Sequence, residues 1–158
     1  MSKVFIITGG KHVGKTTFLQ KRILELRHSG KSVAGIVSKG DFLEGKRNNF
    51  YAVNIQNKEQ QLLMSQNEML NSNKIGKFYF SENTFNWGRD IIKKAIYSEI
   101  DVIVLDEIGR LELENEGWAK IFAKMLKSDK ELYLVFRKEY VVELIKAFSV
   151  TDYQIVNI

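Results

Sequence analysis

Short apolar runs alternate with longer segments of helical periodicity along most of the chain. Five runs predict strands: residues 4–8, 32–37, 101–106, 132–136 and 153–158. Apolar positions at helical spacing predict four helices: from residue 17 to near residue 29, from 83 or 84 to 97, around 118–125, and 138–148. Alternation of this kind implies a mostly parallel sheet with helices on both faces. The pattern predicts one α/β domain over residues 1–158.

The stretch between the second and third of these strands interrupts the alternation. Residues 50–55 alternate between polar and apolar, and residues 77–80 form another short apolar run. Residues 56–74 are rich in Asn, Gln and Ser, which is typical of a loop. We therefore expect a β-hairpin excursion from the α/β pattern.

Composition narrows the class of protein. The 158-residue chain has a net charge of +5, but its lysines are scattered over every predicted helix, so nucleic-acid binding is not expected. The absence of cysteine excludes disulfides and thiolate metal sites, and the two histidines have no ligand cluster nearby. No apolar stretch approaches about 20 residues, and the N-terminus does not resemble a signal peptide. We expect a cytoplasmic protein with no membrane partner.

The first predicted strand is followed at once by a glycine loop and a helix. The loop fits the pattern G-x-x-x-x-G-K-[ST], and strand, loop and helix in this order separate a phosphate-binding loop from a chance match. Backbone N–H groups and the helix N-terminus can then bind a nucleoside triphosphate. Lys15 is expected to reach the β- and γ-phosphates, and the Thr16 hydroxyl can ligate Mg²⁺. The candidate nucleotide-binding residues are Gly9, Gly10, Lys11, His12, Val13, Gly14, Lys15, Thr16 and Thr17.

Two adjacent carboxylates end the strand at residues 101–106 and can complete this site. Asp106 follows four apolar residues and lies at the carboxyl end of its strand, where α/β sheets bind ligands. We expect it to hold Mg²⁺ opposite Thr16. Glu107 comes next, and such a carboxylate can orient a water molecule for attack on the γ-phosphate. A surface glutamate is the alternative interpretation.

The Asp-Glu pair also predicts the order of the strands. It belongs to hydrolysing P-loop proteins in which an additional strand separates the phosphate-loop strand from the aspartate strand. We therefore expect residues 132–136 to lie between residues 4–8 and residues 101–106. Arg137 would then emerge at the carboxyl end of that central strand, near the γ-phosphate or the base, as a third catalytic candidate beside Lys15 and Glu107. An arginine that extends to solvent from a helix start is the alternative interpretation.

Two motifs together resemble a known family. The loop from Gly9 to Thr17 and the string from Asp106 to Leu113, DEIGRLEL, are similar to those of the small nucleoside-triphosphatases typified by cancer-related nucleoside-triphosphatase. The resemblance implies a three-layer, RecA-like P-loop fold and slow, Mg²⁺-dependent hydrolysis of ATP, GTP and other nucleoside triphosphates to diphosphate and phosphate. Residues 39–42 depart from the family pattern, which places an acidic residue and an arginine in that loop.

Two other functions share the same nucleotide site. A small P-loop kinase usually carries an arginine-rich lid late in the chain, and the segments at residues 127–131 and 149–152 contain no arginine. A nucleotide-dependent accessory factor, such as a helper in cofactor assembly, would need a surface for a protein partner. The polar excursion from residue 38 to residue 73 could supply that surface. Acceleration of hydrolysis by such a partner would distinguish this function from a stand-alone enzyme.

Overall fold

A mixed β-sheet forms the centre of the computed structural model, which describes residues 3–10, 13–43, 46–67, 69 and 72–158. The strands are β1 Lys3–Thr8, β2 Val33–Leu43, β3 Lys46–Asn54, β4 Gln60–Ser65, β5 Ser72–Ile75, β6 Phe78–Ser81, β7 Val102–Ile108, β8 Glu131–Phe136 and β9 Tyr153–Asn157. The helices are α1 Lys15–His28, α2 Glu82–Ile96, α3 Arg110–Leu113, α4 Ala119–Lys127 and α5 Val141–Ala147. A 3₁₀ turn, Lys138–Tyr140, leads into α5.

The order of the strands confirms the predicted arrangement around the phosphate loop. Across the described residues the order is β5-β6-β4-β3-β2-β7-β8-β1-β9. The strands from β2 to β9 in this order are mutually parallel, and β8 lies between β7 and β1. The inner strands β1, β7 and β8 are largely buried between helices on the two faces, whereas β9, at the edge of the sheet, is mostly exposed. The sheet therefore separates the phosphate-loop strand from the aspartate strand by one strand, as expected.

The excursion is larger than a hairpin, and the prediction of a loop over residues 56–74 is wrong. β4 and β5 lie within that range, and β3, β4, β6 and β5 continue the sheet as antiparallel neighbours. Their ladders are made by backbone groups, which pair whether or not the side chains are apolar. Leu63 and Ser65 of β4 are buried, whereas Gln60 and Gln61 are exposed. β2 also extends beyond the predicted residue 37 because it pairs with β3.

Helices cover both faces of the parallel strands, as the alternation predicted. α1 packs on one face through Leu19, Ile23 and Leu26, which meet residues of β1, β2, β7 and β8. α2, α4 and α5 pack on the other face. Leu24 of the same helix is 58% exposed and does not belong to this contact. The α1 contacts fix the direction in which the first turn of that helix leaves the phosphate loop.

Gly88 of α2 marks the closest packing on the second face. A Cβ at this position would lie 2.5 Å from Cη2 of Trp118, whose side chain is 2% exposed. Alanine favours a helix over glycine by about 1 kcal/mol. Overpacking a core costs about 1–3 kcal/mol, and a buried indole has little room to move. The steric cost therefore exceeds the helical gain.

We expect Gly88→Ala to lower the free energy of unfolding by about 1–2 kcal/mol. Chemical denaturation of the wild type and the variant measures the difference. Asp90→Ala, on the exposed side of the same helix, is the control and should change stability by less than about 0.5 kcal/mol. A Gly88→Ala protein as stable as the wild type would show that the indole can shift.

Candidate active site

The phosphate loop joins the end of β1 to the start of α1. Gly9, Gly10, Val13 and Gly14 belong to its described part, while Lys11 and His12 lie outside the described residues. Gly14 has φ +88°, a left-handed conformation that side chains with a Cβ rarely adopt. Helix α1 begins directly after it at Lys15. The first turn of α1 therefore presents free backbone N–H groups at the loop, as an anion site requires.

Lys15 folds back over the loop. Its Nζ donates hydrogen bonds to the carbonyl of Gly9 at 3.1 Å and to that of Gly10 at 3.4 Å. Both acceptors are neutral, whereas a phosphate oxygen would form a stronger, charge-assisted bond with the same ammonium. The side chain is therefore placed at the loop, where an anion can compete for it.

The end of β9 supports the other side of the loop. The Ile158 N–H donates to the Thr8 carbonyl at 3.0 Å. A Cβ on Gly9 would lie 2.5 Å from the Ile158 carbonyl oxygen and 2.8 Å from Cγ2 of Val13. Glycine is therefore required at position 9 by close packing. The sequence pattern identified this glycine but not its contact with β9.

Thr16 and Asp106 meet across the sheet. The Thr16 hydroxyl donates to Oδ2 of Asp106 at 2.8 Å, and the Ser38 N–H donates to the same oxygen at 3.0 Å. Asp106 is fully buried at the end of β7. A hydroxyl and a carboxylate are the hard oxygen ligands that Mg²⁺ uses beside phosphate groups, so these two residues fit the expected cation. Within the described ranges, no group of three or more His, Cys, Asp or Glu residues could hold a metal ion.

Glu107 occupies a strained position directly after Asp106. Its φ is +63°, a left-handed conformation that is uncommon outside glycine. The pairing of β7 with β8 shifts register between Leu105 and Ile108, so the strand bulges at these two carboxylates. Glu107 is only partly buried. The bulge turns consecutive carboxylates to different surroundings: Asp106 into the protein and Glu107 towards solvent.

Arg137 follows β8 directly, at the carboxyl end of the sheet where it was expected. Its backbone N–H donates to the Ile108 carbonyl at 3.0 Å, and its guanidinium pairs with Glu139 at 3.3 Å. The aliphatic part of the side chain fills the space beside Gly109, where a Cβ would lie 2.9 Å from Arg137 Cδ. Arg137 thus borders the segment that follows Glu107.

Glu112 is a buried acid within the DEIGRLEL string, and the sequence assigned no separate role to it. It is 3% exposed, and its Oε1 accepts from the Gly109 N–H at 2.6 Å while Oε2 accepts from the Trp118 N–H at 2.9 Å. Burial raises the pKa of Glu112 to about 7, against the opposing effect of these two bonds. A glutamate three residues after a helix N-cap is the signal that could have identified it.

The arrangement defines a class of protein. A phosphate loop at the end of β1, a helix that starts at Lys15, and a buried aspartate two strands away form the nucleotide site of P-loop proteins. A family model described as NTPase matches residues 4–158. The chain belongs to this NTPase family, whose members are nucleoside-triphosphate hydrolases.

Relatives of the chain carry the same activity in their names. This chain is 32% identical over 136 residues to nucleoside-triphosphatase THEP1 of Methanocaldococcus jannaschii, and the match covers 85% of this chain and 78% of that protein. The corresponding protein of Saccharolobus solfataricus is also 32% identical over 136 residues, with coverage of 86% and 76%.

Solved structures share the fold. THEP1 from Aquifex aeolicus matches with a TM-score of 0.75 at 20% identity, covering 98% of this chain and 88% of that one. The human cancer-related nucleoside triphosphatase matches with a TM-score of 0.75 at 22% identity, covering 100% and 89%. Across the described ranges, no helix has the length and apolar character needed to cross a membrane.

The pKa of Glu112 predicts a pH dependence of stability. Because its pKa is raised from 4.5 to about 7 in the folded protein, the folded state binds more protons than the unfolded state between these values. The contribution of Glu112 to the free energy of unfolding is therefore fully present below about pH 4.5 and is lost as the pH rises to about 7. The free energy of unfolding should fall by at most about 3 kcal/mol over this range. Glu112→Gln removes this titration.

Urea denaturation of the wild type and Glu112→Gln at several pH values measures the effect. The wild type should lose stability relative to the variant as pH rises from about 5 to 7. Taking the difference between the two proteins cancels the titration of all other carboxyl groups. A difference that stays constant over this range would contradict the raised pKa.

Proposed function

We propose that this protein hydrolyses nucleoside 5′-triphosphates, ATP and GTP among them, to diphosphate and phosphate with Mg²⁺. The observation that supports it most directly is the 2.8 Å contact between Thr16 and Asp106, which joins the phosphate loop to the buried aspartate. We further propose that residues 1–158 form a single P-loop domain that works in the cytoplasm. Membership of the NTPase family agrees with this reaction.

The loop would bind the triphosphate through its backbone. N–H groups of the loop and of the first turn of α1 would cradle the β-phosphate, with Lys15 moving from the carbonyls of Gly9 and Gly10 to phosphate oxygens. Lys11, His12 and Thr17 are proposed as further members of this cradle. Positive charge at this point offsets the charge that develops on the phosphates during transfer.

Thr16 and Asp106 would hold Mg²⁺ between the loop and β7. The ion supplies charge neutralisation across the β- and γ-phosphates. Asp106 would act from a fixed position, since the Ser38 N–H and the Thr16 hydroxyl both orient its Oδ2. Among the described residues, Thr16 and Asp106 would supply only a small share of the oxygen ligands that the ion needs. This suits Mg²⁺, which would take its remaining ligands from phosphate oxygens and water.

Glu107 is proposed to orient the attacking water. The water oxygen would form the new bond to the γ-phosphorus while the bond from that phosphorus to the bridging β–γ oxygen breaks. The nucleoside diphosphate would be the leaving group. The proton lost by the water would pass towards the Glu107 carboxylate or to a phosphate oxygen. Glu107 is suited to this role because the bulge leaves it partly exposed beside a buried metal ligand.

Two substitutions separate binding from chemistry. Lys15→Ala should weaken nucleotide binding and hydrolysis together, because Lys15 would contact the phosphates before and during the reaction. Glu107→Gln keeps the size of the side chain but removes the carboxylate, so nucleotide affinity should stay nearly unchanged while turnover falls about 10²–10⁴-fold. Binding titration and phosphate release on the same proteins measure both quantities.

Glu116→Gln changes an exposed glutamate of the same region and should leave turnover unaltered. Full hydrolysis by Glu107→Gln would show that another group orients the water. Stimulation of nucleotide consumption by a nucleoside or nucleotide acceptor, with transfer of the phosphoryl group to it, would instead make the protein a kinase.

Arg137 is proposed to stabilise the transferring phosphoryl group. An arginine near the γ-phosphate neutralises charge in the transition state, so Arg137→Ala should lower turnover by at least about 10-fold. Arg22→Ala is a matched control, because Arg22 is 38% exposed and pairs with Glu25 at 3.3 Å, while Arg137 is 41% exposed and pairs with Glu139 at the same distance. Unchanged affinity and turnover in Arg137→Ala would exclude this role.

A further inference from the structure

The side chain of Glu112 connects two parts of the backbone on either side of α3. Its Oε1 accepts from Gly109, two residues after Glu107, and its Oε2 accepts from Trp118 at the start of α4. Both donors are backbone N–H groups, so the geometry of the pair depends on the path of the chain. Backbone hydrogen bonds such as that from Glu116 N–H to the Leu111 carbonyl (2.9 Å) also shape the loop between β7 and α4, and the Glu112 carboxylate ties its two ends together.

The far end of this loop is anchored in the core. The Trp118 side chain is 2% exposed and packs edge-to-face against Phe85 of α2, with ring centroids 4.7 Å apart. Gly117, at φ +60°, has no room for a Cβ, which would collide with Oε2 of Glu112. The Glu112 carboxylate thus fills the space beside Gly117 and accepts a hydrogen bond from the backbone of Trp118, which is held in place by its buried side chain.

The near end of the loop carries the strained residue. Glu107 has φ +63°. It lies between two residues of β7 that pair with β8: Leu105, which pairs with Leu134, and Ile108, which pairs with Phe136. Such a conformation costs free energy and persists only where the surroundings impose it. The bond from Gly109 to Glu112 is one of the contacts that impose it from the C-terminal side.

An ordinary helix cap does not require a buried acid. The cap of α3 could be made at the surface, whereas burying a carboxylate carries a large desolvation cost even with two hydrogen bonds. Glu114, two residues later, is 54% exposed and pairs with Arg110 at the surface, so it carries its charge without this desolvation cost. Retention of a buried acid in α3 is accounted for if its two bonds hold the reactive segment in shape.

We propose that Glu112 is a positioning residue for hydrolysis: by tying Gly109 to Trp118 it holds the bulge that directs Glu107 to the attacking water. The inference rests on the role proposed above for Glu107. Glu112 is 3% exposed and both of its carboxylate oxygens accept backbone N–H groups, so it is not placed to contact the nucleotide or the attacking water itself. Its effect on the reaction therefore passes through Glu107, and this separates it from a residue that only stabilises the fold.

A double-mutant cycle with Glu107 tests the inference. Glu112→Gln keeps the shape of the side chain, but its amide has one acceptor oxygen, and its NH₂ group faces the second N–H donor. We expect Glu112→Gln to lower kcat by about 10- to 100-fold in the wild-type background, because small displacements of a catalytic group have effects of this size. Nucleotide affinity should change by less than about twofold.

In the Glu107→Gln background, the same change should lower kcat by less than about twofold, because the group that Glu112 positions is already absent. Equal losses in the two backgrounds, or no loss in the wild type, would overturn the proposal. If Glu107→Gln alone keeps full turnover, the proposed role of Glu107 fails and this inference fails with it. Glu114→Gln is the control and should leave kcat unchanged.

A second variant reaches the same contact from the other side. Gly117→Ala leaves Glu112 intact but pushes a methyl group into its carboxylate. It should reproduce the coupling with Glu107→Gln, and kcat losses that are equal in both backgrounds would again overturn the proposal. All proteins are assayed below the melting temperature of the least stable one, so that the rates refer to folded enzyme.

Discussion

The hydrogen bond between Thr16 and Asp106 depends on most of the structure around it. Its partners are 90 residues apart in the chain and belong to strand–loop units that β8 separates. Two strand spacings amount to about 10 Å, which the first turn of α1 must span from the end of β1. It does so because Leu19, Ile23 and Leu26 hold α1 across β7 and β8. Packing far from the loop thus sets the geometry of the loop and the start of α1.

The two buried acids, Asp106 and Glu112, are accommodated in the same way. Each is almost completely removed from solvent, and each accepts at least one backbone N–H: Asp106 from Ser38, Glu112 from Gly109 and Trp118. Since an unsatisfied buried carboxylate costs several kcal/mol, these bonds strongly favour one arrangement of the chain. The hydrogen bonds that these buried acids require therefore fix the chain on both sides of Glu107.

The antiparallel part of the sheet also borders this region. The turn between β5 and β6 lies against α3, where a Cβ on Gly76 would be 3.8 Å from the Arg110 guanidinium. Arg110 precedes Glu112 in the same short helix. The excursion therefore approaches α3, the helix that carries Glu112, in addition to widening the sheet.

The sequence alone determined the elements whose signals are local. Apolar runs identified the parallel strands, the glycine loop identified the phosphate site, and the Asp106–Glu107 pair gave the position of β8. Tertiary structure alone decided the rest. The strands β4 and β5, which lie in a stretch rich in Asn, Gln and Ser, form because backbone groups of neighbouring strands pair with them, and the composition of that stretch does not indicate this pairing. Glu112 has a local capping signal, three residues after Gly109, but its burial depends on the packing of Trp118 against α2. The packing of Ile158 against Gly9 joins segments that are distant in the chain, and no local pattern records it.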